Sequence, residues 1–195
     1  MIQRVAIYCG SKKGISKQYQ SMATQLGKFL VESGIDLVYG GGKVGLMGVV
    51  ADSVIAHGGR VTGVIPHGLC VDELVHQNLT ELVRVVGMHE RKAKMIDMAD
   101  AFIAMPGGIG TMDELFEAWT WYQLGIHSKP VGILNVEGYF DGLIEYLHQM
   151  VTQEFLSQRH LDSLHISPCP IDLISQMQVS ERELETIWVT DEKRN

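Results

Sequence analysis

Two glycine-rich turns and one short charged segment hold the residues best suited to chemistry. The stretch Met105-Pro106-Gly107-Gly108-Ile109-Gly110-Thr111-Met112-Asp113-Glu114 joins a short apolar run, Ala101 to Met105, to an amphipathic one. Glycines expose backbone N–H groups, the start of a helix adds its positive dipole end, and Thr111 contributes a hydroxyl. Together these suit one phosphate group. Glu114 does not suit that task, because a carboxylate repels phosphate. Its spacing from Thr111 fits a capping box, in which Glu reaches back to the N-cap N–H, and the pattern alone favours that reading. A carboxylate one helical turn from an anion site also stands where a general base would serve a substrate with phosphate at one end and a scissile bond at the other.

The other turn, Gly40-Gly41-Gly42-Lys43-Val44-Gly45, has the G-x-G-x-x-G spacing of a dinucleotide site. That fingerprint requires an acid at the end of the following strand, and here that strand ends in Ile65-Pro66-His67. The turn also follows the second strand instead of the first, which argues against a nicotinamide oxidoreductase. No G-x-x-x-x-G-K-[ST] occurs, which removes the usual P-loop NTPase. The charged segment is Met88-His89-Glu90-Arg91-Lys92. Arg91 and Lys92 fall in the first two turns of a helix, where the dipole disfavours cations, so either they form a solvated charged face or an anionic partner stands nearby. A phosphate or a carboxylate such as Glu114 would serve, and Arg is suited to bidentate contact with either. Lys94 reads as solvated. The histidines and cysteines lack metal-site spacing, and there is no G-x-S-x-G elbow. Met95, Met98 and Met112 read as core filler; Trp119, Trp121 and Tyr122 read as core or interface.

Short apolar runs alternating with helical periodicity must position these residues. Strands are expected at 5–9, 36–39, 61–65, 82–86, 101–105 and 131–135. Helices are expected from a Ser16 cap to Ser33, and over 46–57, 89–99, 111–124, 139–151, 172–178 and 181–188. Strands apolar on both faces, each followed by a helix, predict a Rossmann-like three-layer α/β fold: a mostly parallel sheet with helices on both faces. No repeat or low-complexity linker divides the 195 residues, so one domain is expected over 1–195, with 165–195 as peripheral helices and tail.

Composition narrows the partners. With 16 Lys and Arg against 23 Asp and Glu, the net charge is −7, and no basic run is present to grip a nucleic acid backbone. The longest apolar stretches fall far short of the ~20 residues of a membrane helix. Cys9, Cys70 and Cys169 are odd in number and widely spaced, which suits a reducing compartment. The N-terminus has no signal-peptide layout, so a cytoplasmic protein is expected.

Taken together, Gly40-Gly41-Gly42-x-x-Gly45-Leu46-Met47-Gly48, Met88-His89-x-Arg91-Lys92 and Pro106-Gly107-Gly108-x-Gly110-Thr111-x-x-Glu114 resemble the Lonely Guy family. Its members are cytokinin riboside 5′-monophosphate phosphoribohydrolases, formerly labelled lysine decarboxylases. The run from Leu124 to Tyr139 is also similar, and the likeness extends over about residues 4–150. The resemblance implies a Rossmann-like homodimer that hydrolyses the N-glycosidic bond of a nucleoside 5′-monophosphate, giving free base and ribose 5-phosphate, with no metal or organic cofactor. It implies Arg91 and Glu114 as the catalytic pair. Ser11, Gly41, Gly42, Glu73, Met88, Lys92, Gly107, Gly108, Gly110, Thr111 and Thr120 would contact substrate. Where the family often reads Cys-Gly-Ser-Ser, this chain has Ser11-Lys12-Lys13, and the segment around Glu73 is poorly matched. Two other readings stand beside this one. In a non-catalytic nucleotide-binding module, Glu114 only caps its helix. A pyridoxal-phosphate decarboxylase would need a Schiff-base lysine.

Overall fold

The computed structural model of the chain describes residues 2–69 and 74–179. Seven strands form one parallel sheet: β1 (Arg4–Tyr8), β2 (Asp36–Tyr39), β3 (Val61–Pro66), β4 (Glu81–Val85), β5 (Ala101–Ala104), β6 (Val131–Leu134) and β7 (Leu164–Ser167). Their order is β4-β3-β2-β1-β5-β6-β7. The helices are α1 (Lys17–Glu32), α2 (Gly45–Ala56), α3 (Met88–Met98), α4 (Ile109–Gln123), α5 (Asp141–Thr152), α6 (Gln158–Asp162) and α7 (Pro170–Val179).

The period-two alternation of the strands builds two cores. Val5, Ile7 and Cys9 face one side with Leu26 and Leu30 of α1, Val50 and Val54 of α2, and Leu173 and Met177 of α7. Ala6 and Tyr8 face the other with Met95 of α3, Leu115 and Trp119 of α4, Leu147 of α5 and Leu161 of α6. The expected α/β layers are therefore present. Local chemistry sets the ends of α1: the Ser16 side chain accepts from Gln18 N at 3.1 Å, and Gly34 takes a left-handed φ of +68° just past the last turn.

Two elements go beyond the sequence reading. β7 and the five-residue α6 fill a stretch where no regular structure is expected. The segment Leu164-His165-Ile166-Ser167 is too short to signal a strand by alternation; pairing with β6 from Leu164↔Val131 to Ser167↔Leu134 makes it one. At the opposite edge, β4 leaves Glu81 and Arg84 exposed, so not every strand is buried on both faces. The helix expected over 181–188 lies outside the described residues.

From β1 the chain winds outward to β4, then crosses back to β5 on the other side of β1. The reversal between β1 and β5 is a topological switch point, where the loops at the carboxyl ends diverge and ligands bind in doubly wound sheets. The turn after β5 carries Pro106 to Thr111, and the loop after β1 carries Gly10 and Ser11.

Candidate active site

Main-chain bonds sew together the loops that follow β1, β2 and β5. Met105 N donates to Tyr8 O at 2.8 Å, Gly10 N to Pro106 O at 3.0 Å, and Leu46 N to Gly10 O at 2.9 Å. A side chain on Gly10 would stand 3.2 Å from the Gly107 Cα, and one on Gly45 would run into the Ser11–Lys12 peptide. The Thr111 hydroxyl occupies the room a side chain on Gly107 would need. Gly108 and Gly110 differ: a Cβ on either meets nothing within 4 Å.

The capping box does not form. Gly108 is the N-cap of α4 and makes no side-chain cap bond, so the helix starts before Thr111, which lies inside the first turn and is buried. Glu114 therefore falls in the second turn and crosses to α3, where its Oε1 ion-pairs with Arg91 Nη1 at 3.3 Å. The two side chains are only 11% and 12% exposed.

Arg91 is held on every side. Its Nε donates to the Val64 carbonyl at 3.1 Å, its Nη1 lies 3.9 Å from Met88 Sδ, and its Nη2 packs on Gly40, where a side chain would otherwise begin. This explains much of the dinucleotide-like spacing. Gly40 makes room for the guanidinium and Gly45 for the Ser11–Lys12 peptide. Gly41 and Gly42 pair with a strap, through His76 N to Gly41 O at 2.9 Å, Lys43 N to Leu74 O at 2.9 Å and a Gly42↔Val75 bridge. The glycines of this turn serve packing of the chain on itself.

The pair sits among further charges. Burial pushes the Glu114 carboxyl up to about 7; Arg91 and Lys92 pull it down, while Asp113 and Glu117 push it up. Lys92 pairs with Glu117 Oε2 at 3.0 Å and Asp113 Oδ2 at 3.1 Å. Burial opposes its charge, yet the hydrogen bonds to Glu117 and Asp113 outweigh that and raise the ammonium above its ordinary value. Beneath them, burial holds the Tyr8 phenol well above its usual range, and the charges of Glu114 and Glu117 add to this.

Most of the expected site residues converge on the switch point. Arg91, Glu114, Met88, Gly107, Gly108, Gly110 and Thr111 do so, with Ser11 on the adjoining loop and Gly41 and Gly42 beside Arg91. Lys92 is committed to Asp113 and Glu117. Thr120 stands apart: it is nine residues beyond Thr111, roughly 14 Å along the helix axis. There it lines a groove of about 400 Å³ with Ile109, Met112, Asp113, Phe116, Glu117 and Trp121. Glu73 lies outside the described residues. Trp119 and Tyr122 are core, and Lys94 makes an exposed 3.7 Å pair with Asp97.

Sequence reasoning missed Asp113 and Glu117 as partners of Lys92. Their i,i+4 spacing on one helix face was an available signal. It also missed the Val64 carbonyl and Tyr139, whose hydroxyl donates to Gly107 O; neither leaves a local pattern. Among the described residues no helix is long and apolar enough to cross a membrane, and no three His, Cys, Asp or Glu side chains gather as a metal site requires.

The strand order, the switch-point loops and the buried Arg91–Glu114 ion pair define a Rossmann-like α/β protein with a charged cluster at the carboxyl edge of its sheet. A sequence model of the family described as "Possible lysine decarboxylase" matches residues 47–177. The chain is 46% identical over 188 residues to cytokinin riboside 5′-monophosphate phosphoribohydrolase LOG of Oryza sativa subsp. japonica, spanning 95% of this chain and 78% of that one. It is 47% identical over 186 residues to the corresponding LOG7 of Arabidopsis thaliana, spanning 95% and 85%. The chain belongs to this family, the Lonely Guy family. Among solved structures, the molybdenum cofactor carrier protein from Chlamydomonas reinhardtii superposes with a TM-score of 0.70 at 17% identity, over 92% of this chain and all of that one. The molybdenum cofactor binding protein from Rippkaea orientalis gives 0.67 at 19% identity, over 91% and 96%. At those identities the likeness is one of fold.

Proposed function

We propose that this chain hydrolyses the N-glycosidic bond of a nucleoside 5′-monophosphate, AMP or a cytokinin riboside 5′-monophosphate, to free base and ribose 5-phosphate. The observation that carries the reading is the buried ion pair between Arg91 of α3 and Glu114, which lies one to two turns into the helix that opens on Gly108. The names of the relatives support the same reaction.

The amides of 107–111 and the Thr111 hydroxyl hold the phosphate monoester. Glu114 lies four residues beyond Gly110, roughly 6 Å along the axis, on the scale of a sugar ring. Cleavage of the C1′–N bond sends the bonding pair to the departing base and leaves oxocarbenium character on the sugar. The Glu114 carboxylate stabilises that charge and takes a proton from the water whose oxygen bonds to C1′; the departing base then takes up a proton at the nitrogen that held C1′, and loss of the proton from Glu114 restores the carboxylate. Binding energy from the remote phosphate orients the reacting carbon. Arg91 holds Glu114 in place and favours its ionised form. Ser11, Gly41, Gly42 and Met88 border the substrate, and Lys92 fixes α3 to α4 through Asp113 and Glu117. A decarboxylase lysine needs a depressed pKa to act as a nucleophile, whereas Lys92 is shifted the other way.

Thr120 and the α4 groove enter the proposal through a homodimer. Ile109 is 90% exposed at one end of the groove, and Trp121 lines the other. A second copy seated there brings the Thr120 face towards a substrate site. Trp121→Arg should turn a sedimenting dimer into a monomer; a variant that stays dimeric removes this face from the interface. The buried free thiol of Cys9 suits a reducing cytoplasm.

The test is base release, followed by HPLC, from AMP, GMP, CMP, N6-isopentenyl-AMP and adenosine. Adenosine should be turned over at least about 10²-fold more slowly than AMP, since it lacks the anchoring group. Equal rates would overturn the phosphate anchor, and no release from any nucleotide would leave a binding module.

A further inference from the structure

Tyr139 has no role in the scheme above, yet it touches the anion turn. It follows β6 on a short loop where Glu137 (φ 52°) and Gly138 (φ +70°) both adopt left-handed backbone. Its hydroxyl donates to the Gly107 carbonyl oxygen at 2.5 Å, across 32 residues of sequence. Two edge-on ring contacts fix the phenol. Tyr19 of α1 lies 5.8 Å away with planes at 79°, and Phe140 lies 5.0 Å away at 87°. The Tyr19 ring in turn packs against Gly14 of the loop after β1. Tyr139 remains 45% exposed and is not part of either core. Burial of apolar surface therefore explains little of its placement, and the hydroxyl contact is what remains to be explained.

We propose that Tyr139 is a positioning residue for the substrate phosphate, a role that rests on the nucleotide reading given above. The reason lies in the Gly107–Gly108 peptide. In a planar trans peptide the C=O and the following N–H point in opposite directions. A bond that holds the Gly107 carbonyl on one side therefore aims the Gly108 N–H to the other. Gly108 is the N-cap of α4, so that N–H belongs with the free donors that open the helix. A peptide between two glycines is the easiest to flip, because neither residue carries a Cβ to restrict φ and ψ. A flipped peptide would present a carbonyl oxygen to the phosphate in place of a donor. The Tyr139 hydroxyl, itself steadied by Tyr19 and Phe140, selects the donor-out arrangement before substrate arrives. Such preorganisation strengthens binding without adding a contact to the ligand.

The role predicts an effect confined to the phosphate end. Tyr139→Phe keeps the ring and both edge contacts and deletes only the O–H. KM for AMP should rise about three- to twelve-fold, the worth of one hydrogen bond, and the inhibition constant of ribose 5-phosphate should rise in parallel. By contrast, kcat should change less than about twofold and inhibition by free adenine should stay at the wild-type value, while the melting temperature falls by no more than the few degrees that one hydrogen bond is worth. A merely structural tyrosine would move adenine and phosphate inhibition together; that pattern overturns the proposal. So does a variant whose ribose 5-phosphate inhibition matches wild type while wild type is clearly inhibited. If wild type itself releases base yet ignores both ribose 5-phosphate and inorganic phosphate, the phosphate anchor fails and the role of Tyr139 falls with it.

Discussion

Replacing Glu114 with Gln should slow the reaction and stabilise the fold in the same step. Burial holds this carboxyl at about 7, against an ordinary 4.5. Between those values the folded chain keeps a proton that the unfolded chain has released. Stability therefore declines as pH rises through this window, and the loss is complete above about 7. A displacement from 4.5 to about 7 corresponds to about 3 kcal/mol, at 1.36 kcal/mol per pH unit. The side chain is only 11% exposed, so solvent screens little of this. Gln is neutral at every pH and escapes the penalty. At pH 8.5 Glu114→Gln should melt higher than wild type by about 6–12 °C, taking about 2–4 °C per kcal/mol for a chain of this size. Below pH 4.5 the two should coincide, since wild-type Glu114 is then neutral as well. Melting followed by circular dichroism from pH 4.5 to 8.5 measures the gap. Base release from AMP should fall about 10²–10⁴-fold while calorimetry still detects AMP binding. The wild-type kcat/KM should show an acid limb with its midpoint near 7, because the reaction uses the ionised carboxylate. A variant that melts at or below wild type at pH 8.5 would refute the reasoning, since attraction to Arg91 would then exceed the cost of burying the charge. Near-normal base release would remove Glu114 from the chemistry.

Gly40→Ala places a methyl where Arg91 Nη2 packs, without touching the phosphate turn. It should lower kcat by at least about tenfold with a small change in KM for AMP, and unchanged kcat would mean that the guanidinium is free to move aside. Lys92→Met removes a cation that lowers the Glu114 pKa and leaves Asp113 and Glu117 unopposed. The acid limb of kcat/KM should therefore move to higher pH; a fixed or lowered midpoint in the pH profile would contradict the charge arrangement.

The pairing of charges shows most clearly where local sequence stops being informative. Arg91 and Lys92 are adjacent, and the dipole argument alone treats both alike. Only the packing of α3 beside α4 decides that Arg91 takes Glu114 while Lys92 takes Asp113 and Glu117. The capping box failed for a related reason. Its spacing was correct, but α4 opens at Gly108, ahead of Thr111, so Glu114 was left free to cross to the neighbouring helix.

Features that depend on near neighbours are legible along the chain: the alternation of strands and helices, the Ser16 cap, the stop at Gly34 and the presence of glycine turns at the strand ends. Periods of 2 and 3.6 residues and the backbone freedom of glycine act within a few positions, so they can be read along the chain. Tertiary structure alone decided that Gly40 makes room for a guanidinium, that Leu164 to Ser167 becomes a seventh strand, and that Tyr139 reaches Gly107. Each of these joins residues far apart in sequence, and their encounter is set by the strand order and by how the helices pack across the sheet.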